Sequence, residues 1–429
     1  MRAALWFVGL FGVAVAIALF AGNNQGTITV FWPPYRVDLS LNLVVLLLAL
    51  LFFTLHIALR ALAALFAMPG HARSWRIAHQ ERAIHIALLD ALSHLVAGRF
   101  IRARKSAEGV LAREDALTRS GEHLSYSGRL RALSHLLAAE SSQALQDKSG
   151  REEHFRQALE QALHHDAQGA REGVQLRAAR WAIEDRDPQA ALEWLDEMPQ
   201  GASRRTIALR LRLKAARMAR KTRLALETAR LLAKHRAFSE VAAHGILRGL
   251  ALELVATAHD PDQLQTVWHQ LDAVERLVPE VAIEASNRLL TLGGDVAVSR
   301  SWLLPIWERM VSQSGALSDG QRVQLIRALE RGFTSAAAAP DAAWLTRIEK
   351  AQMFNPGNAA LQYLAGITCM RLQLWGKAQQ LLKQSLPRLE DASLERNAWQ
   401  ALAEMADQRG DVAAATLAWK NAAKSLTTA

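Results

Sequence analysis

Fourteen histidines and one cysteine are the residues of this 429-residue chain best suited to hold a metal or act as nucleophiles. No two histidines stand three or four residues apart, the spacing that sets two ligands on one face of a helix. His164 and His165 are adjacent and so point to different faces. The single Cys369 cannot form a disulfide within the chain or build a thiolate zinc or iron–sulfur site. It precedes Met370 on a segment of Ala, Leu and Met, where a cysteine is normally a small buried hydrophobe. A phosphate-binding glycine loop, a dinucleotide fingerprint after a strand, a nucleophile elbow and a His-Glu-x-x-His pair are all missing. These residues name no catalytic group and no metal ligand, and they leave any cofactor-binding residue unknown. Catalysis is therefore not expected. The twelve tryptophans can stack on a flat aromatic ligand, but Trp399 and Trp419 stand where a helical repeat places its core.

The elements that would carry such residues are dominated by two apolar stretches, Ala3–Ala21 and Leu43–Leu59. The first has no charge, and the second has only Thr54 and His56 among aliphatic and aromatic residues. A bilayer core needs about 20 apolar helical residues, so spans over about 3–21 and 41–60 are expected. A cleaved signal peptide is the other reading of the first stretch, since Arg2 precedes it and Phe20-Ala21-Gly22 follows. His56 is either an intramembrane titratable group or an interfacial polar residue near the inner end of its span. Arg36, beside Asp38, is the one arginine of the intervening loop, whereas Arg60, Arg73, Arg76 and Arg82 follow the second stretch. That bias puts both termini in the cytoplasm. Phe31, Trp32 and Tyr35 suit the headgroup belt, and Pro33-Pro34 makes a stiff extended turn that bars helix. Ala14, Ala18 and Gly22 recur every four residues, which permits a close helix approach but is also ordinary membrane-helix composition.

The charge is +10, from 51 basic and 41 acidic residues read as spread along the helices with no dense basic block. A domain tethered in this way gains from resting near anionic lipid, so a bilayer is the expected partner and nucleic acid is not. Beyond Pro69-Gly70 the chain is rich in strong helix formers and lacks strand-like alternation. Breakers such as Ser149-Gly150, Asp187-Pro188, Gly293-Gly294, Pro340-Asp341 and Pro356-Gly357 mark off helix–turn–helix lengths.

A tetratricopeptide pattern emerges at the C-terminal end. Trp399, Leu402, Ala406, Gly410, Val412, Ala415, Trp419 and Ala422 occupy positions 4, 7, 11, 15, 17, 20, 24 and 27 of a 34-residue unit. Gly366, Trp375, Ala378, Leu382 and Leu386 fit the preceding unit more loosely. Ala103, Ala158, Ala191 and Ala225 take the position-20 place in earlier units, with Gly98 and Phe100 before Ala103. The expected class is all-α: two transmembrane helices, then a tetratricopeptide-like solenoid, with an irregular helical bundle as the alternative. The domain reading is an anchor at 1–68, repeats at 69–236, degenerate repeats at 237–350 and C-terminal repeats at 351–429.

The loop of the form Gly26-Thr-Ile-Thr-Val…Tyr35-Arg-Val-Asp-Leu-Ser40 leads into Arg82-Ala-Ile…Leu95-Val-Ala-Gly98-Arg-Phe-Ile-Arg-Ala103. With the two apolar stretches before it and the repeats after it, the chain resembles HemY. These are bacterial inner-membrane proteins associated with a late step of protohaem synthesis. The resemblance implies a multi-pass inner-membrane protein with a cytoplasmic helical domain and haem-biosynthesis enzymes as protein partners. It supplies no catalytic motif to carry over, and self-association remains open. Two function classes follow: a scaffold that holds partner proteins beside the bilayer, or a protein that itself binds or converts a porphyrin. A tetratricopeptide adaptor of envelope biogenesis is a further alternative, although a relative ending in a cysteine-rich metal domain cannot be built with one cysteine.

Overall fold

The computed structural model describes residues 2–22, 26–313, 315–334 and 342–424, leaving the Pro340-Asp341 breaker outside. The side chains of residues 2–8, 10, 20, 21, 64–74 and 334 also lie outside that description, so Arg2 and Arg73 are placed only as backbone. The chain divides into two compact units, residues 1–171 and 172–429.

The first unit opens with α1 (Arg2–Gly22), which is helical over the first expected span. Next comes a hairpin of β1 (Thr27–Trp32) and β2 (Tyr35–Ser40), a local departure from the helical architecture of the described residues, at the loop expected between the two apolar stretches. Two β-branched and aromatic runs on either side of Pro33-Pro34 favour paired strands over an extended loop. The antiparallel register pairs Ile28 with Leu39, Val30 with Val37 and Trp32 with Tyr35, so one face is apolar. The other face pairs Thr29 with Asp38 and Phe31 with Arg36. There the Thr29 hydroxyl donates to Asp38 Oδ1 at 2.7 Å, and the Arg36 guanidinium lies 5.5 Å from the Phe31 ring centre. Ser40 caps the next helix by accepting from the Leu43 N–H at 3.3 Å, and Leu41 N–H donates to Gly26 C=O at 2.9 Å.

That helix, α2 (Leu41–Val96), runs for 56 residues, about 84 Å at 1.5 Å per residue. It passes through Pro69-Gly70 without a break, so the backbone has no boundary at residue 68. Its stretch Leu41–Ala63 is, among the described residues, the one long and apolar enough to cross a membrane, and none of it is buried. Farther along, Ile84, Ala87 and Ala91 turn one stripe inward. They meet Val110 and Leu117 of α3 (Phe100–Arg119) and Leu130 and Ala138 of α4 (Ser127–Ala144). α5 (Lys148–Ala162) packs on α4, and a 3₁₀ turn at His165–Ala167 follows.

α6 (Gln168–Glu184) spans the division at residue 171, and α7 (Pro188–Asp196), α8 (Gln200–Ser203), α9 (Thr206–Met218) and α10 (Thr222–Lys234) come next in the second unit. α11 (Glu240–Ala256), α12 (Pro261–Gln270), α13 (Ala273–Arg276), α14 (Pro279–Thr291) and α15 (Val296–Ser312) continue the series. It closes with α16 (Asp319–Thr334), α17 (Ala342–Phe354), α18 (Ala359–Arg371), α19 (Trp375–Ser385), α20 (Ala392–Gln408) and α21 (Val412–Lys424). One apolar cluster runs from Leu209 on α9 to Ala418 on α21.

A single turn design recurs in both units. Gly98, Gln146, Arg186, Arg220, Gly293, Gln373 and Gly410 have left-handed backbones, with φ between 54° and 77°. At each, the next residue's N–H donates to the carbonyl five residues earlier, as Asp187 does to Ala182 at 2.8 Å. This closes one helix and aims the chain back along it. Five residues after Gly98, Arg186, Arg220, Gln373 and Gly410 come Ala103, Ala191, Ala225, Ala378 and Ala415, all buried, whereas Gly293 leads to the half-buried Val298. Ala158 is also buried but sits seven residues late, because the turn at Gln146 puts Arg151 in that place. Two helical turns separate the positions, and an alanine on the same face imitates the register. Gly366 shows why small residues belong at these contacts: a Cβ there would lie 2.7 Å from Leu382 Cγ.

Trp181, Trp268, Trp302, Trp307 and Trp344 are buried, with Trp268 and Trp302 stacked at 4.6 Å. Trp399 packs against the core, but Trp419 stays 42% exposed, which corrects its core placement. No described helix follows α21 to cover it, and its Nε1–H donates to Asp407 at 3.0 Å.

Candidate functional site

Cys369 is fully buried on α18, and burial raises its thiol pKa, so it packs as a hydrophobe. His56 lies exposed within the apolar stretch of α2 and stacks on Phe52 at 6.5 Å between ring centres. His164 and His165 are exposed at the end of α5, in no metal-binding group. Among the described residues no three His, Cys, Asp or Glu side chains are grouped to hold a metal.

The fold does bring together groups that linear spacing hides. His135 on α4 and His154 on α5, 19 residues apart, place their Nδ1 atoms 3.2 Å from each other. Burial, then the neighbouring His154 and Arg131, lowers the His135 pKa to about 4. His154 Nε2 stands 3.7 Å from Glu108 on α3. In the second unit Glu330 on α16 is buried and accepts from Tyr363 on α18 at 2.5 Å and Asn397 on α20 at 3.0 Å. Burial raises its carboxyl pKa, and those two donors offset the rise only in part. Nearby, burial opposes the Asp391 charge, but Arg327 at 2.5 and 2.6 Å, Ser393 and the Leu394 N–H outweigh it and hold the group at about 2. These clusters tie successive helix pairs together. None pairs a nucleophile with a base in a cleft.

The clefts differ in size. One of about 230 Å³ between α16, α18 and the start of α20 is lined by Arg322, Arg388, Asp319 and Asp391. It falls below the roughly 300–1,000 Å³ usual for organic ligands. A more open cleft of about 580 Å³ is lined by Val241, His244, Arg248 and Val278.

The strongest concentration of chemistry is charge. Between Arg204 and Arg236 the sequence carries twelve lysines and arginines against one acid, Glu227, a surplus of eleven where the whole chain has ten. This overturns the expectation of evenly spread basic residues. Arg205, Arg212, Arg223 and Arg230 are paired with Glu172, Asp196, Glu227 and Glu275 at 2.6–3.1 Å. Arg204, Lys214, Arg217, Arg220, Lys234 and Arg236 are exposed and have no acidic partner among the described residues.

Among solved structures, the chain is similar to the Cut9–Hcn1 hetero-tetramer of the APC/C at 14% identity, with a TM-score of 0.27, covering 79% of this chain and 66% of that one. It is similar to the P58(IPK) TPR domain at 14% identity and a TM-score of 0.22, over 76% of this chain and 99% of that one. For Naa15/Naa10 bound to HypK-THB the values are 11% and 0.25, over 76% and 57%. No curated protein matches the chain. The family model described as the HemY protein N-terminus matches residues 26–146, the hairpin and α2 to α4 with the turn that follows them. Over residues 26–146 the chain is thus similar to the HemY family.

Proposed function

We propose that this protein is a membrane-anchored helical-repeat scaffold that holds partner proteins beside the bilayer in a late step of protohaem synthesis. The observation that carries the reading is the joining, in one helix, of an uncovered apolar stretch, Leu41–Ala63, to the first packed helices of the repeat domain. A non-enzymatic role fits side chains that the fold spends on packing and inter-helix pairing. Helical repeats bury their apolar faces on one another and leave extended surfaces for protein partners. In this reading α1 and Leu41–Ala63 both cross the inner membrane. The hairpin lies outside and both termini are cytoplasmic, as Arg60, Arg76 and Arg82 after the span favour. Porphyrinogens grow more hydrophobic late in the pathway, so holding successive enzymes at one surface limits their diffusion and oxidation.

Deleting the gene should raise porphyrin intermediates while each pathway enzyme keeps its activity in extracts. A chain in which an unrelated anchor of the same topology replaces both spans should restore haem levels. A fragment without an anchor should not, because tethering concentrates only components on the same surface. Full rescue by the untethered fragment would remove the membrane from the mechanism. A second reading, direct porphyrin binding, is favoured by one observation. His244 lines the 580 Å³ cleft with its Nδ1 engaged by the Glu240 carbonyl at 2.8 Å, leaving Nε2 as a ligand. A saturable Soret shift that disappears in His244→Ala would establish it.

A further inference from the structure

We propose that the basic helix pair α9–α10 docks an acidic segment of a partner protein, an inference that rests on the scaffold reading and names its partner's chemistry. Arg210, Lys214 and Arg217 follow one another at four and three residues along α9, the spacing that aligns side chains on one helix face. All three are exposed, as are Ile207 and Met218 at the two ends of the same helix. Arg220 stands in the turn that joins the pair, while Arg204 and Arg236 flank its open end. The cations therefore occupy a strip as long as one helix.

The strip selects among anions. Arg210 and Lys214 are about 6 Å apart along the helix axis, close to the roughly 6.6 Å between alternate residues of an extended chain. An acidic peptide of about six residues thus matches the roughly 20 Å of α9. Single-stranded nucleic acid needs aromatic platforms for its bases, and no Phe, Tyr or Trp lies between Arg204 and Arg236. An anionic bilayer rewards basic residues spread over a broad face. Here the surplus ends abruptly: Glu240, Glu253 and Asp260 follow on α11 and its exit, and Asp185, Asp187, Glu193, Asp196 and Glu197 precede the strip. An acidic segment flanked by apolar residues would also meet Ile207 and Met218.

The test uses the full chain in phosphatidylcholine nanodiscs and a fluorescein-labelled peptide of about ten glutamates, read by anisotropy across a salt series. Binding should weaken as salt rises, and at least about tenfold more in Lys214→Glu/Arg217→Glu, since like charges replace attraction. Lys214→Arg/Arg217→Lys should retain it, as should Arg113→Glu/Arg119→Glu, which alters equally exposed cations of the first unit. Circular dichroism and melting of the reversed chain should match the unaltered protein, because these side chains contact no acid. Failure of the peptide to bind, or equal binding by the reversed chain, overturns the proposal. So does displacement of the peptide by phosphatidylglycerol vesicles or single-stranded RNA at lower concentrations than by unlabelled peptide. Capture from solubilised membranes separates the two readings. If the same proteins accompany both the unaltered and the reversed chain, the basic face fails and the scaffold stands. If neither chain retains a protein yet the peptide binds only the unaltered one, the acidic-ligand chemistry stands and the scaffold falls.

Discussion

Gly366 concentrates the argument for helical repeats into one missing methyl group. Alanine is ordinarily favoured over glycine inside a helix by about 1 kcal/mol. At this position the added Cβ would meet Leu382 at 2.7 Å to Cγ and 3.3 Å to its backbone N, and Leu382 is fully buried and cannot swing away. Overpacking should win, and Gly366→Ala should lower stability by about 1–3 kcal/mol in thermal melts. His135 gives a pH dependence of definite sign. Its folded pKa of about 4 lies below the ordinary 6.5, so between these values the unfolded chain binds the extra proton. Stability is thus fully present above pH 6.5 and is lost as pH falls towards 4, by about 3 kcal/mol in all. Hydrogen exchange in α4 and α5, corrected for intrinsic rates, should show the loss, and His135→Gln should flatten it. Cys369 could be read from the sequence because its neighbours are apolar. The His135–His154 pair could not, since partners 19 residues apart on two helices leave no local spacing.

At the level of elements, Ala415 marks the last helix pair. It is buried between α20 and α21, so Ala415→Glu adds overpacking of about 1–3 kcal/mol and a charge without a partner. Because repeat arrays are stabilised by neighbouring interfaces, exchange should accelerate in α20 and α21 and leave α9 to α15 protected. Global loss of protection would show a single cooperative bundle instead. The five aligned alanines were legible because packing at a close helix contact restricts residue type. Ala158 was misregistered because the seven-residue periodicity of a helix face repeats the same signal two turns later. The hairpin departs from the extended loop that Pro33-Pro34 suggests, because the two prolines form the turn between two β-branched runs that pair as strands. The basic strip was also visible in the sequence. Averaging charge over the chain concealed it.

For the whole molecule, the telling feature is that α2 carries both the apolar stretch and, from Ile84 onward, the wall of the first helical core. Proline and glycine at residues 69 and 70 suggested a joint there, yet the helix continues through them. A continuous helix transmits angle as well as position. Each residue inserted after Gln80 should turn everything beyond it by about 100° about the helix axis and shift it by about 1.5 Å. Two inserted residues would swing a partner-facing surface through about 200°, whereas seven would return it to within about 20° of its starting azimuth while displacing it by only about 10 Å. Rescue of haem levels by an insertion series should therefore oscillate with helical phase, failing at two residues and recovering at seven. Equal rescue at every length would mean that α2 acts as a tether. An oscillation would identify it as a shaft that sets the heading of the domain relative to the bilayer.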